Sequence, residues 1–298
     1  MDVSGIYPAL TTPFAADGSV SHSDLKHNIQ KYNSTDLAGY VAIGSTGESV
    51  MLSRKEMDEV FSTVKEAAAK NKTLIAGTGA ESTAETIERT KRAAELGYHV
   101  ALVKTPFYYK PAYQPDVYLK HYRAVADASP IPIMIYVMPL FTGITLETSN
   151  VAAIAEHPNV IGIKDSGGDV RRIGEMRNET NSSFQILTGA APVLFPCLAM
   201  GACGAIMALA SALPEKCVEL YKVCTQGQQE RARDLQLQLV TASKVMVSEF
   251  GIAGVKYAMD QRGYRGGVPR LPLQPLQEEQ KNRLTRLLDT LEPAAARA

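Results

Sequence analysis

The chain has 298 residues, and 45% of them are hydrophobic, which is enough to bury a large core. Its 31 lysine and arginine residues balance 31 aspartate and glutamate residues, so no net field draws the whole molecule to nucleic acid or to an anionic membrane. The N-terminal residues MDVSGIYPALTTPF lack the basic and then apolar segments of a signal peptide, so we expect a cytoplasmic protein that acts on small molecules.

Short apolar runs alternate with amphipathic segments along most of the chain. The patterns Ser53-x-x-Glu56 and Ser82-x-x-Glu85 have the capping-box form that begins a helix, and Ser21-x-x-Asp24 is a close relative of it. Eight apolar runs predict strands, at residues 6–11, 40–44, 73–77, 100–104, 131–137, 160–164, 184–188 and 204–208.

This alternation indicates a parallel sheet, and eight strand–helix units within about 225 residues match the size of a closed (β/α)₈ barrel. A doubly wound sheet is the alternative, but its one glycine-rich candidate, GTGAES at 77–82, lacks the third glycine of a dinucleotide-binding turn. We therefore predict an α/β fold, a TIM barrel, with a catalytic barrel domain at 1–226 and a C-terminal helical region at 227–298. Helices are predicted there at 228–250, 254–262 and 275–291, followed by a frayed tail.

The segment 180–214 contains no charged residue and could be mistaken for a membrane span. Prolines and glycines interrupt it, and alanine is more frequent in it than leucine. A buried helix followed by a buried strand explains this composition better, so we expect no membrane association.

In such a barrel the active site forms from loops at the carboxyl ends of the strands. The predicted second strand is followed by Ser45 and Thr46, the fifth ends near Tyr136 and the sixth ends at Lys164. Taken singly, each has an ordinary structural explanation: an exposed lysine, a core tyrosine and a tight turn. Together, a lysine, a phenol and two hydroxyls at one end of the barrel favour catalysis.

Such a set of groups suits Schiff-base chemistry. A lysine amine is nucleophilic when neutral, and apolar surroundings favour the neutral form. The neutral amine of Lys164 can attack the ketone of a 2-oxo acid, and Tyr136 is the best-placed phenol to move protons. The hydroxyls of Ser45 and Thr46, with nearby backbone N–H groups, would bind the substrate carboxylate.

This chemistry needs neither a metal nor another cofactor, so we expect none. The five histidines show no metal-ligand spacing, which argues against a zinc site or a Ser-His-Asp triad. Asp165 and Asp169 could suggest a divalent ion. We expect them instead to shape the turn after the sixth strand and to cap the next helix.

Four motifs, GSTGES, KTPFYYKP, YVMPLFTG and GIKDSGGD, in this order and spacing, resemble the dihydrodipicolinate synthase and N-acetylneuraminate lyase superfamily of class I aldolases. The resemblance implies Lys164 as the Schiff-base lysine, Tyr136 as the proton-transfer phenol, and Ser45 and Thr46 as carboxylate ligands. It also implies a catalytic role for Tyr108, because in many members the matching tyrosine crosses a dimer interface into the partner's site. A homotetramer built as a dimer of dimers is therefore expected.

Departures from the superfamily's patterns bear on the substrate. Dihydrodipicolinate synthases usually carry, where Phe141 stands, an arginine that holds the carboxylate of aspartate semialdehyde. Sialic acid lyases usually have an acidic pair after the glycine that matches Gly189, where this chain has Ala-Ala-Pro. We expect Phe141, Gly189 and Ile206 to line a small, mainly apolar substrate pocket.

Within the superfamily, the segments HPNVIGIKDSGGDVRRIG and FGIAGVKYAMD most resemble 4-hydroxy-2-oxoglutarate aldolases. That resemblance implies cleavage of 4-hydroxy-2-oxoglutarate to pyruvate and glyoxylate. The alternative is 4-hydroxy-tetrahydrodipicolinate synthase, which condenses pyruvate with aspartate semialdehyde. A sugar-acid aldolase or dehydratase and a non-catalytic 2-oxo-acid sensor are further alternatives.

Overall fold

The computed structural model describes residues 1–291, and its central feature is a closed barrel of eight parallel strands. The prediction of a TIM barrel is confirmed. The strands are β1 (Gly5–Pro8), β2 (Gly39–Ala42), β3 (Thr73–Gly77), β4 (Val100–Lys104), β5 (Ile133–Val137), β6 (Val160–Asp165), β7 (Gln185–Thr188) and β8 (Gly204–Met207).

Neighbouring strands pair in the order β1-β8-β7-β6-β5-β4-β3-β2. Two backbone hydrogen bonds of 3.0 Å, from the N–H of Ala38 to the carbonyl of Ile6 and from the N–H of Leu10 to the carbonyl of Val41, join β2 to β1 and close the barrel. Because all the strands run in the same direction, their carboxyl ends meet at one mouth.

Alternation along the strands separates the barrel interior from the layer under the helices. Met134 and Tyr136 of β5 and Ile206 of β8 belong to a cluster inside the barrel. Ile133 and Ile135, which alternate with them on β5, pack outward with the helices. This alternation decides which side chains at the mouth face the pocket.

Helices connect the strands and continue after the last one. They are α1 (His22–Asn33), α2 (Arg54–Ala67), α3 (Thr83–Glu95), α4 (Pro115–Ala128), α5 (Pro139–Thr142), α6 (Thr148–Ala155), α7 (Val170–Glu179), α8 (Leu194–Ala199), α9 (Leu209–Ala212), α10 (Pro214–Thr225), α11 (Gln229–Ser243), α12 (Gly251–Gln261) and α13 (Glu278–Thr290). Short 3₁₀ turns cover Ser45–Gly47, Ser49–Met51, Lys110–Ala112 and Ala191–Val193, and a π-helical turn covers Lys244–Glu249.

Two of the three predicted helix caps are present. Ser53 forms a full capping box with Glu56 at the start of α2, and the Ser82 hydroxyl accepts a backbone N–H at the start of α3. The helix predicted to begin at Ser21 is also present, with Ser21 at the N-cap position of α1, but the Ser21 hydroxyl donates to the Asp24 carboxylate at 2.7 Å and accepts no backbone N–H. The hydrogen bond to the Asp24 side chain takes the place of the cap hydrogen bond to the backbone.

The uncharged segment at 180–214 folds into β7, α8 and β8, all of them parts of the barrel. Its lack of charge therefore reflects burial between the other strands and helices. None of the helices within residues 1–291 combines the length and the hydropathy needed to cross a membrane.

The C-terminal helices pack against the barrel on the side of the mouth. The predicted helix 228–250 is observed as α11 extended by the π-helical turn, which ends at Glu249. Close packing of α12 on this turn requires a glycine, since a Cβ at Gly254 would lie 2.3 Å from the carbonyl oxygen of Met246. The domain boundary at residue 226 stays a prediction, and the predicted frayed tail lies outside the described residues.

Candidate active site

Lys164 lies at the mouth of the barrel and faces its interior. It stands opposite Tyr136 in the register of β5 and β6, and only 4% of it is exposed. Its Nζ lies 4.1 Å from the centroid of the Tyr136 ring. The lysine that the sequence singled out is therefore a buried amine packed against the predicted proton-transfer phenol.

Asp165, the next residue, faces away from the pocket. Its Oδ2 accepts from Arg172 Nε at 2.8 Å, and its Oδ1 accepts the N–H of Gly167 at 2.8 Å. Asp169 caps α7 by accepting the N–H groups of Arg171 and Arg172. Both aspartates thus shape the turn and the following helix, as the sequence predicted.

Ser45 and Thr46 lie in the 3₁₀ turn that follows β2. The Ser45 hydroxyl lies 3.2 Å from the Tyr136 hydroxyl, which connects the turn to the Lys164–Tyr136 pair. The first N–H groups of any helical turn have no partner inside that turn. Hydroxyl and N–H donors therefore meet beside the amine, as a substrate carboxylate requires.

Gly189 follows β7, and its lack of a side chain leaves room for Lys164. A Cβ built at Gly189 would lie 1.9 Å from the Ser166 hydroxyl oxygen and 3.2 Å from Lys164 Cε. Any larger residue would displace the lysine or the serine. Ser166 itself was missed in the sequence, although its spacing of two from Lys164 places it on the same face of the chain.

A pocket of about 240 Å³ opens above these groups. Every substrate-binding residue predicted from the sequence lines it, together with Lys164 and Tyr136, namely Ser45, Thr46, Gly189, Ile206 and Phe141. Among the described residues that line it, Lys164 is the only charged one, and most of the others are apolar.

One wall of the pocket comes from the C-terminal helices. Ser243, Val247 and Ser248 lie at the end of α11 and in the π-helical turn, while Ile252 and Val255 belong to α12. These residues were missed in the sequence, which offers no local signal for them. A π-helical turn is rare and often occurs at functional sites.

Tyr108 lies outside the pocket of its own chain. It is 71% exposed and its ring packs edge-on against Tyr109, at 5.0 Å between centroids. The Glu81 carboxylate accepts the N–H groups of Phe107 and Tyr108 and so holds this loop. A catalytic role for Tyr108 in a partner's site stays a prediction.

Lys104 is a second lysine at the mouth, opposite Tyr136 in the register of β4 and β5. Its Nζ lies 3.5 Å from Glu81 Oε1 and 4.6 Å from the centroid of the Phe107 ring. Burial lowers the pKa of Lys104, and the Glu81 carboxylate partly opposes this shift. Lys104 thus forms an ion pair with Glu81, whereas the amine of Lys164 faces the Tyr136 ring in the pocket.

A TIM barrel that presents a buried lysine amine, a phenol and hydroxyl donors in one pocket has the arrangement of a class I aldolase, which works through a lysine Schiff base. Within residues 1–291, no group of three or more histidine, cysteine, aspartate or glutamate residues is placed to hold a metal ion.

Comparison with known proteins agrees with this class. Residues 2–291 match the model of the Dihydrodipicolinate synthetase family, so the chain belongs to that family and is a lyase of the class I aldolase type. A relative from Natronomonas pharaonis is 35% identical over 290 residues, covering 97% of this chain and 98% of its own. Another, from Exiguobacterium sp., is 34% identical over 270 residues, covering 91% and 92%. Both are named 4-hydroxy-tetrahydrodipicolinate synthase.

Solved structures give the same family. A dihydrodipicolinate synthase from Bacillus anthracis superposes with a TM-score of 0.94 at 27% identity, over 98% of this chain and all of its own. One from Acinetobacter baumannii, complexed with pyruvate, gives a TM-score of 0.92 at 31% identity, over 97% of this chain and 98% of its own. The names of these relatives agree with the synthase, the alternative expectation from the sequence, and not with 4-hydroxy-2-oxoglutarate aldolase.

Proposed function

We propose that the protein is a pyruvate-dependent aldolase that cleaves 4-hydroxy-2-oxoglutarate into pyruvate and glyoxylate. The observation that carries the proposal is the composition of the pocket, where Lys164 is the only charged residue among the described lining. A site of this kind suits a short acceptor whose charge stays near the reacting carbons. The pyruvate-bound relative from Acinetobacter baumannii supports pyruvate as the common substrate.

The cleavage can be written with the residues of the pocket. Lys164 Nζ attacks C2 of the substrate and loss of water gives a protonated imine, while Ser45 and Thr46 bind the C1 carboxylate. Tyr136 gives its phenol proton to the hydroxyl that leaves as water, and the resulting phenolate then takes the proton of the C4 hydroxyl. The C3–C4 bond breaks, and its electrons move into the imine to give an enamine and glyoxylate. Protonation of the enamine at C3 and hydrolysis of the imine release pyruvate and restore the amine.

The composition of the distal wall supports glyoxylate over aspartate semialdehyde as the acceptor. Aspartate semialdehyde carries its carboxylate and ammonium two carbons beyond the aldehyde, towards the rim that Leu140 and Phe141 form. Within residues 1–291, no arginine lines this pocket to hold that carboxylate. Glyoxylate carries its carboxylate on the aldehyde carbon itself, so the charge stays beside Ser166 and Lys164.

The second candidate is 4-hydroxy-tetrahydrodipicolinate synthase. It is favoured by the names of the relatives, which share about a third of their residues with this chain over nearly the whole length. For this candidate to be correct, another group would have to hold the carboxylate of the semialdehyde in place of an arginine at Phe141.

Substrate rates decide between the two. We expect kcat/KM for cleavage of 4-hydroxy-2-oxoglutarate to exceed kcat/KM for condensation of pyruvate with aspartate semialdehyde by at least about 10-fold, roughly 1.4 kcal/mol of transition-state preference. Both rates are measured on one preparation. Phe141→Arg should raise the condensation rate selectively, and Leu140→Arg is the matched control on the same rim. Comparable rates in the unmodified protein would favour the synthase.

We also propose that the protein works as a homo-oligomer in which Tyr108 enters the site of a partner subunit. Tyr108 and Tyr109 are 71% and 66% exposed, which is unusual for two adjacent aromatic residues, and Glu81 accepts the backbone N–H of Tyr108. A covered position in an assembly would explain the exposure.

A further inference from the structure

The backbone of the turn that carries Ser45 and Thr46 is strained on both sides. Ile43, just before the turn, has φ of 59°, and Glu48, just after it, has φ of 56°. A left-handed conformation is a genuine outlier for a β-branched residue such as isoleucine. Strain of this kind persists only when the surrounding structure enforces it.

On the Glu48 side of the turn, a buried ion pair stabilises the strained conformation. The side chain of Glu48 is fully buried, and its Oε1 lies 2.6 Å from Nζ of Lys256 on α12, of which 1% is exposed. Glu48 Oε2 accepts the N–H of Arg270 at 2.8 Å. Both carboxylate oxygens of a residue in the strained backbone are therefore engaged by the C-terminal part of the chain.

Lys256 is itself held in place from several directions. Its Nζ donates to the carbonyl oxygens of Thr12 at 2.8 Å and Val268 at 2.7 Å, and it lies 4.6 Å from the centroid of the Phe14 ring. The Thr12 hydroxyl in turn donates to the carbonyl of Gly47 at 2.7 Å. Thr12, after β1, and Lys256 together fix the far end of the turn.

Stability alone is a poor explanation for this pair. Burying two charges is costly, and apolar residues of similar volume are often as stabilising or more so. A buried pair also fixes the positions of the residues that form it. Here one of them, Glu48, stands two residues after Thr46, which with Ser45 binds the substrate carboxylate in the proposed reaction.

We propose that Glu48 and Lys256 are positioning residues, which hold the turn of Ser45 and Thr46 in the conformation that binds the carboxylate of the 2-oxo acid. The inference rests on the proposed function, in which this turn binds pyruvate. With this role, the C-terminal helices belong to the binding site in two ways: they form one wall of the pocket, and Lys256 of α12 holds the turn in place.

The test replaces both charges at once, so that neither is left buried without its partner. We expect Glu48→Leu/Lys256→Met to fold with a lower melting temperature, because the carbonyls of Thr12 and Val268 and the N–H of Arg270 lose their partners. The folded variant should need at least about 10-fold more pyruvate for half-maximal borohydride trapping on Lys164. Lys72→Met is the matched control, because Lys72 is a buried lysine that donates to the carbonyls of Thr35 and Leu37 before β2, away from the mouth. It should leave the pyruvate requirement unchanged.

A pyruvate requirement equal to that of the parent in a folded double variant would overturn the inference. If the double variant does not fold, Thr12→Val decides, because it removes only the hydrogen bond to Gly47. It should raise the pyruvate requirement several-fold, and no change would again overturn the inference. Failure of the proposed function is distinct, because it would appear as an absence of trapping in the unmodified protein.

Discussion

Lys164→Met is expected to lower the cleavage rate by about 10⁴-fold or more, because it removes the nucleophile on which every covalent step depends. Methionine has nearly the same length and suits the apolar pocket, so the fold should be retained. The measurement is the initial rate of pyruvate release, with the melting temperature recorded on the same sample.

Lys104→Met is the control for that variant. Lys104 lies at the same mouth but is paired with Glu81, so its replacement should lower the rate by less than about 10-fold. A large loss for Lys104→Met together with a small loss for Lys164→Met would reverse the assignment of the two lysines.

Tyr136→Phe is expected to lower turnover by about 10²–10⁴-fold, the usual contribution of a positioned proton-transfer group. The ring would still fill the barrel and contact Lys164, since only the hydroxyl that lies 3.2 Å from Ser45 Oγ is removed. Pyruvate should therefore still form its adduct on Lys164. The measurements are kcat and the pyruvate concentration for half-maximal trapping, and each is compared with its value in the parent protein.

Tyr98→Phe is a matched control for the loss of a buried phenol. The Tyr98 hydroxyl donates to the carbonyl of Phe61 on the helix side of the barrel wall, away from the pocket. Its removal should change stability more than turnover. Activity of Tyr136→Phe near that of the parent would show that the proton moves by another route.

The barrel could be predicted from the sequence because its determinants are local. Each strand is a short apolar run ended by turn residues, and the predicted 73–77 and 100–104 coincide with β3 and β4. Lys164, Tyr136 and Ser45 could be placed together because parallel strands bring their carboxyl ends to one mouth, whatever the details of packing.

Other parts of the site depend on contacts between distant segments. Ser243 and Ser248 reach the pocket only because α12 packs closely on the π-helical turn, and neither feature has a local signature. The pairing of Glu48 with Lys256 joins residues 208 positions apart, and no local pattern in the sequence connects them. The proposed acceptor rests on Phe141 standing where the synthases usually carry an arginine, a departure that the sequence already showed.

The most direct test of the central claim is reductive trapping of the Schiff base. The protein is incubated with pyruvate and borohydride, digested, and analysed by peptide mass spectrometry. The adduct predicted here is a single reduced three-carbon group on Lys164, absent when pyruvate is omitted. An unmodified Lys164, or equal labelling of Lys104 and Lys164, would contradict the assignment of Lys164 as the catalytic amine.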